Sequence, residues 1–142
     1  MTDFSRFKMK VYKYWSVFIH PNQGYLGRCV VWCNREDALD FADATEEESR
    51  ELVSILKDLR EVAKKAFQAD WFNYALLGNE TQHLHCHFIP RYSSEKTFAG
   101  TVFQDKLWGH NYRTDKGFIT TEEALTEIKS TMEELLQSIS AD

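Results

Sequence analysis

Residues 83–92 read HLHCHFIPRY, and three of the chain's five histidines fall in the first five positions. Along a β-strand, successive side chains point to opposite faces. His83, His85 and His87 are therefore expected on one face, with Leu84, Cys86 and Phe88 on the other. The apolar set suits packing on a helix, which leaves a row of imidazoles on the opposite side. One histidine on a strand is ordinary. Three at every second position call for a reason, because clustered titratable groups tend to mark sites.

Working outward, WFNYALLG (71–78) reads as the preceding strand, with the loop NETQ between the two. YKYWSVFIH (12–20) is aromatic and β-branched and reads as a strand, as does RCVVWCN (28–34). The turn residues of PNQGYLG (21–27) join them as an antiparallel hairpin. TFAGTVFQ (97–104) is a fifth, weaker strand, interrupted by Gly100. A long helix is signalled by Thr45 followed by Glu48, the spacing of a capping box. Leu52, Ile55, Leu56, Leu59, Val62, Ala63 and Ala66 continue it as one apolar stripe. Its charges at Lys57, Asp58, Arg60, Glu61, Lys64 and Lys65 read as a solvated face. A C-terminal helix is expected from Thr120, with Glu123 as box partner and Leu125, Ile128, Met132, Leu135 and Ile139 as its stripe. Strands in neighbouring pairs, not alternating with helices, predict an α+β fold with an antiparallel sheet of about five strands.

At 142 residues one domain spanning 1–142 is expected, long enough to bury a sizeable core. The net charge of −5 argues against a nucleic-acid partner, because counterion release needs a basic face. It leaves room for a small anion bound by local donors. The N-terminus MTDFSRFKMK has no apolar core and does not read as a secretory signal. Apolar runs such as CVVWC are too short for a membrane span. Cys29, Cys33 and Cys86 are read as reduced, buried thiols of a cytoplasmic protein.

The histidine row admits three readings. It could be a polar strand face without chemistry. It could be a metal site, but His83 and His87 lie about 13 Å apart along a straight strand at about 3.3 Å per residue, whereas Zn–N bonds are about 2 Å. No metal and no cofactor is therefore expected. The third reading is nucleophilic catalysis: neutral imidazole attacks phosphorus well, and its ordinary pKa near 6.5 leaves much of it neutral at pH 7.

HLHCHFI fits the His-φ-His-φ-His-φ-φ pattern, where φ is hydrophobic, and so resembles the histidine triad (HIT) superfamily. The flanks Asn73, Gly78 and PRY, and the front half FIHPNQGYLGRCVVWCNRED with LDFADATEEE, are similar too. The likeness covers roughly residues 12–92. It is nearest the bacterial branch described as diadenosine tetraphosphate hydrolase-like. This resemblance implies a HIT-like sheet, a homodimer with joined sheets, and hydrolysis or transfer at the α-phosphate of an adenine nucleotide. His85 would be the nucleophile, His87 would contact phosphate, and His83 would orient the nucleophile or help the leaving group. Asn73 would touch ribose or phosphate, His20 stands nearest the usual ribose contact, and residues 18–26 would line the base pocket. Asn79 and Gln82 could donate to phosphate, while Glu80 is expected to face solvent. The chain departs from the family at Arg28 and near Glu36, where many members carry histidine. A purine-nucleotide-binding module with little turnover is the alternative implied.

Arg91 is read either as steering a polyphosphate or as a surface arginine. Trp108 and Tyr112 are expected to pack the tail on the core, and Trp32 to serve core or dimer contact. Cys86 is expected to be inert, and His110 to have no role.

Overall fold

The computed structural model describes residues 4–140. Five strands form one antiparallel sheet: β1 (Lys8–Val11), β2 (Trp15–Ile19), β3 (Cys29–Cys33), β4 (Trp71–Ala75) and β5 (His85–Arg91). Their spatial order is β1-β2-β3-β5-β4, so β5 lies between β3 and β4. Two helices, α1 (Glu46–Phe67) and α2 (Glu122–Ser140), cover one face of this sheet. β6 (Lys96–Phe98) and β7 (Thr101–Phe103) make a separate hairpin. The fold is α+β, as the pairing of strands predicts.

The two faces of the sheet follow from register. Trp15 pairs with Cys33, Val17 with Val31 and Ile19 with Cys29, all fully or almost fully buried. Cys29 and Val31 in turn oppose Phe88 and Cys86 of β5. This set meets Leu52, Ile55, Leu59 and Val62 of α1, and Ile128, Met132 and Leu136 of α2, in one core. The alternate residues, Ser16, Phe18, Val30, Trp32, His85 and His87, share the opposite face, because direct partners in an antiparallel pair point the same way. All three cysteines are free and buried, Cys86 on the helix side.

The capping box at α1 forms as expected. Thr45 Oγ1 accepts from the Glu48 N–H and Glu48 Oε1 from the Thr45 N–H. Glu48 is buried and also takes two bonds from Arg35, which hold its carboxyl down to about 2. Glu51 Oε1 accepts from the backbone N–H groups of Tyr14 and Trp15, tying the helix to the β1–β2 turn.

Three local expectations are corrected. The fifth strand of the sheet is β1, hidden in the sequence by its lysines. The segment 97–104 instead reverses at Ala99 and Gly100, both at positive φ, and supplies both arms of the β6–β7 hairpin. The predicted 83–92 strand starts at His85, and His83 sits at a bend before it. The cap of α2 is Thr121, whose Oγ1 accepts from Ala124 N. Thr120 Oγ1 instead accepts from Gln23 N, across the molecule. Among the described residues no helix is long and apolar enough to cross a membrane.

Candidate nucleotidyl-transfer site

β5 carries His85 and His87 on the helix-free face, and the edges around them fill in from segments far away in sequence. The β2–β3 loop brings His20 and Arg28. It is shaped by buried Gln23, whose Nε2 donates to the carbonyls of His20 and Arg28 and whose Oε1 accepts from Gly27 N. Gly27 has φ +88°, and a Cβ there would lie 3.1 Å from the Phe67 ring. From the C-terminal side, the segment between β7 and α2 crosses this face. Asn22 Nδ2 donates to Asp115 O, and Tyr25 OH exchanges hydrogen bonds with the Arg113 backbone.

The histidine rings lie close together. His85 and His87 have centroids 5.1 Å apart, and His20 stands 6.0 Å from His87. Trp32 stacks on His83 at 4.0 Å and lies 5.5 Å from His85. Although His83 lies outside the strand, this stacking returns its ring to the triad face.

Each ring has a partner that can play only one role, and this fixes its tautomer. His85 Nδ1 lies 2.6 Å from the His83 carbonyl, which can only accept, so Nδ1 carries the proton. In the neutral ring Nε2 is then a lone pair. His83 Nε2 donates to Cys33 O at 2.7 Å. His20 Nδ1 accepts from the Asn22 backbone N–H at 2.9 Å. His87 Nδ1 faces an Arg28 Nη2 donor at 3.3 Å and so accepts. His20 and His87, when neutral, therefore carry their protons on Nε2. Burial, then Arg28, then His85 pull the His87 imidazole down to about 4. Burial, then Arg28 and His87, pull His20 down to about 3. At pH 7 both are uncharged donors, and they flank His85, which is 8% exposed.

Asn73 shares this face two register steps from the Ala75–His87 pair, roughly 7 Å along the strand. Its Oδ1 accepts from Arg91 Nη1, so its amide NH2 is the free end. Arg91 itself corrects both sequence expectations. It is 3% exposed, pairs with Asp105 at 2.6 Å, and also donates to Asn73 and to the carbonyls of Leu107 and His110. Its five N–H groups are committed inside the protein, leaving none for a polyphosphate. Asn79, Glu80 and Gln82 are exposed on the loop ahead of the triad. Glu36 is exposed as well. Trp108 does not pack on the core: it is 43% exposed and lines a cleft of about 630 Å³ with Trp71, Asn73 and Asn111. His110 contributes its backbone carbonyl to Arg91.

Two residues that sequence reasoning left outside the site belong to it: Trp32 and Arg28. Parity within CVVWC would have put Trp32 on the same face as Arg28. What no local signal shows is that β3, not β2 or β4 alone, lies against β5. Among the described residues no group of three or more His, Cys, Asp or Glu is arranged to hold a metal ion.

Comparison with known proteins follows the same lines. A family model described as HIT domain matches residues 13–94, more than half of the chain. No curated protein sequence gives a match. Among solved structures, a histidine triad protein from Marinobacter aquaeolei VT8 is 20% identical with a TM-score of 0.75, covering 92% of this chain and 88% of that one. A hypothetical histidine triad nucleotide-binding protein from Sulfolobus tokodaii is 16% identical with a TM-score of 0.72, over 94% and 85%. Plasmodium falciparum diadenosine triphosphate hydrolase, in complex with cyclomarin A, is 16% identical with a TM-score of 0.58, over 97% and 79%. At such identities the structural likeness is one of fold. The matched segment, however, contains His20, Arg28, Asn73 and the whole triad, and with it the chain belongs to the HIT family.

Proposed function

We propose that the protein is a nucleotide hydrolase or nucleotidyltransferase acting at the α-phosphate of an adenine (di)nucleotide, a dinucleoside polyphosphate or a nucleoside phosphoramidate. The observation that carries this reading is the 2.6 Å bond from His85 Nδ1 to the His83 carbonyl. It leaves Nε2 of His85 as a lone pair in the midst of N–H donors. That nitrogen attacks the α-phosphorus, an N–P bond forms, and the bond to the leaving group breaks with its electron pair. Water or another acceptor then attacks phosphorus, its proton passes to solvent, and the N–P bond breaks to restore the imidazole. His87 and His20 donate to phosphate or ribose oxygens through Nε2–H, Asn73 through its free amide, and Asn79 and Gln82 from the loop. His83 holds the nucleophile through its own carbonyl. The hydrolase of the same fold from P. falciparum supports the reaction class.

The test is trapping of an adenylated His85 by mass spectrometry. His85→Asn should abolish the adduct and lower turnover by orders of magnitude while leaving the fold intact. Unchanged turnover in that variant would sink the reading. The shielding of His85 beneath Trp32 favours a second possibility, a purine-nucleotide-binding module with little turnover. Tight binding unaffected by His85→Asn, with turnover at background, would select it.

A homodimer is proposed along the free edge of β4, where Trp71 is 65% exposed and Tyr74 and Leu77 are exposed beside it. Sedimentation equilibrium should give twice the chain mass, and a Trp71→Lys variant should shift it to monomer. A wild-type protein that stays monomeric across micromolar concentrations would dispose of the dimer.

A further inference from the structure

Arg28 is the group in the site that a phosphate-binding histidine cluster does not by itself require. Arg28 is 4% exposed, yet no carboxylate among the described residues forms an ion pair with it. Nη1 donates to Thr114 Oγ1 at 2.8 Å, Nη2 to His87 Nδ1 at 3.3 Å, and the guanidinium lies 5.3 Å from the Tyr112 ring centre. Nε is buried without a partner. A guanidinium keeps its protons in a protein interior. It is therefore a permanent donor and a permanent cation placed against one nitrogen of His87.

The consequence concerns what His87 can do. To act as a general acid, an imidazole must first hold protons on both nitrogens. At His87 the second proton would have to sit on Nδ1, where an Arg28 N–H already points. Two donors would then face each other with like charges. The remaining groups around the ring do not offset this: His85 on the same strand and His20 from the β2–β3 loop are imidazoles, and the β-partners Val30 and Ala75 are apolar. His20 has the same lone-pair arrangement at Nδ1. Both rings can stabilise charge on oxygen through Nε2–H, but neither has a proton to release.

We infer that Arg28 locks His87 as a neutral Nε2–H donor, and that the site is therefore built for leaving groups that depart without a proton, the phosphate end of a polyphosphate, and not for amines. This inference rests on the nucleotidyl-histidine reading above and narrows its substrate class. Phosphate leaves as a stable anion when the P–O bond breaks and takes the electron pair. An alkyl amine cannot leave as its anion, so breaking a P–N bond needs a proton delivered to nitrogen. Arg28 is a positioning residue here: it acts through His87, to whose Nδ1 it points an N–H.

The experiment compares three substrates sharing one adenylyl group: diadenosine tetraphosphate, the p-nitrophenyl ester of AMP, and an AMP amidate of a primary alkyl amine. The ester and the tetraphosphate should turn over, and the amidate should show a kcat/KM lower by at least about 100-fold, the lower end of what general acid catalysis supplies. Independently of turnover, ¹⁵N NMR of His87 at pH 7 should show a proton on Nε2 and a bare Nδ1. Arg28→Met, close in volume, should mix the two tautomers and narrow the amidate gap by about 10-fold; Arg28→Lys, which keeps a donor and a charge, should preserve both. Amidate turnover equal to that of the tetraphosphate, or a His87 proton on Nδ1, overturns the inference while leaving the nucleotidyl-histidine reading in place. Absence of turnover on all three by folded protein overturns both. Should Arg28→Met fail to fold, the wild-type substrate ratio and spectrum decide alone.

Discussion

At the scale of single residues the site is a set of histidines distinguished by their partners. A carbonyl fixes the proton of His85 on Nδ1, whereas His83, His20 and His87, when neutral, carry theirs on Nε2. Identical side chains thereby present different edges: His85, when neutral, a bare Nε2, and His20 and His87 an Nε2–H. The same burial has a consequence for stability. In the unfolded chain these histidines titrate near 6.5, whereas folded His87 stays neutral to about 4 and His20 to about 3. Between those values the unfolded state binds protons that the folded state does not, so stability falls as pH drops from about 6.5 toward 4. In His87→Gln the urea midpoint should fall less between pH 7 and pH 5 than in the wild type. An equal fall in the two proteins would contradict the assignment. Of these details the sequence shows only that histidines cluster. Arg28 stands 59 residues from His87, and nothing local to either announces their contact.

At the scale of elements, the parts that were legible are those governed by short-range rules. The capping box at Thr45 and the apolar stripe of α1 depend on residues three and four apart. The start of α2 was misplaced by one residue because two threonines, Thr120 and Thr121, are equally good caps in isolation. Gln23, nearly a hundred residues earlier, takes Thr120 and leaves Thr121 to the helix. Each substitution should therefore show a different signature. Thr121→Ala should lower stability by about 1 kcal/mol, the usual worth of an N-cap. Thr120→Val should loosen the β2–β3 loop instead, visible as faster hydrogen exchange at Gln23 with α2 intact. Exchange confined to the first turn of α2 in both variants would refute the division. β1 was missed for a related reason: Lys8 and Lys10 break the apolar alternation, and only pairing with β2 makes a strand of this segment.

At the scale of the whole molecule, the segment after β7 is anchored at its start by a buried ion pair. Arg91 at the end of β5 grips Asp105 through two nitrogens, while Asp105 also accepts from the backbone N–H groups of Tyr92 and Leu107. Removing one partner of a buried pair leaves the other charge without compensation, a loss of about 3–5 kcal/mol. Asp105→Ala should show a loss of that order in chemical denaturation. It should also disturb Asn73, whose amide orientation depends on Arg91. A loss below about 1 kcal/mol would mean that the pair does not anchor this segment. The sequence offered Arg91 as a phosphate ligand or a surface residue. It is neither, because its acidic partner lies on another element, which only folding brings alongside.

What the sequence determined by itself is the periodic content of the molecule. It separates imidazoles from an apolar seam, places the long helix and its cap, and pairs strands into an antiparallel sheet. Those features are set by neighbours within a few residues, where steric and hydrogen-bond preferences act directly. The tertiary structure alone decided that β5 lies between β3 and β4, that Trp32 and Arg28 close over the triad, and which nitrogen of each histidine carries the proton. Strand order and tautomer are fixed by through-space contacts between segments separated by tens of residues, and no local periodicity encodes such contacts.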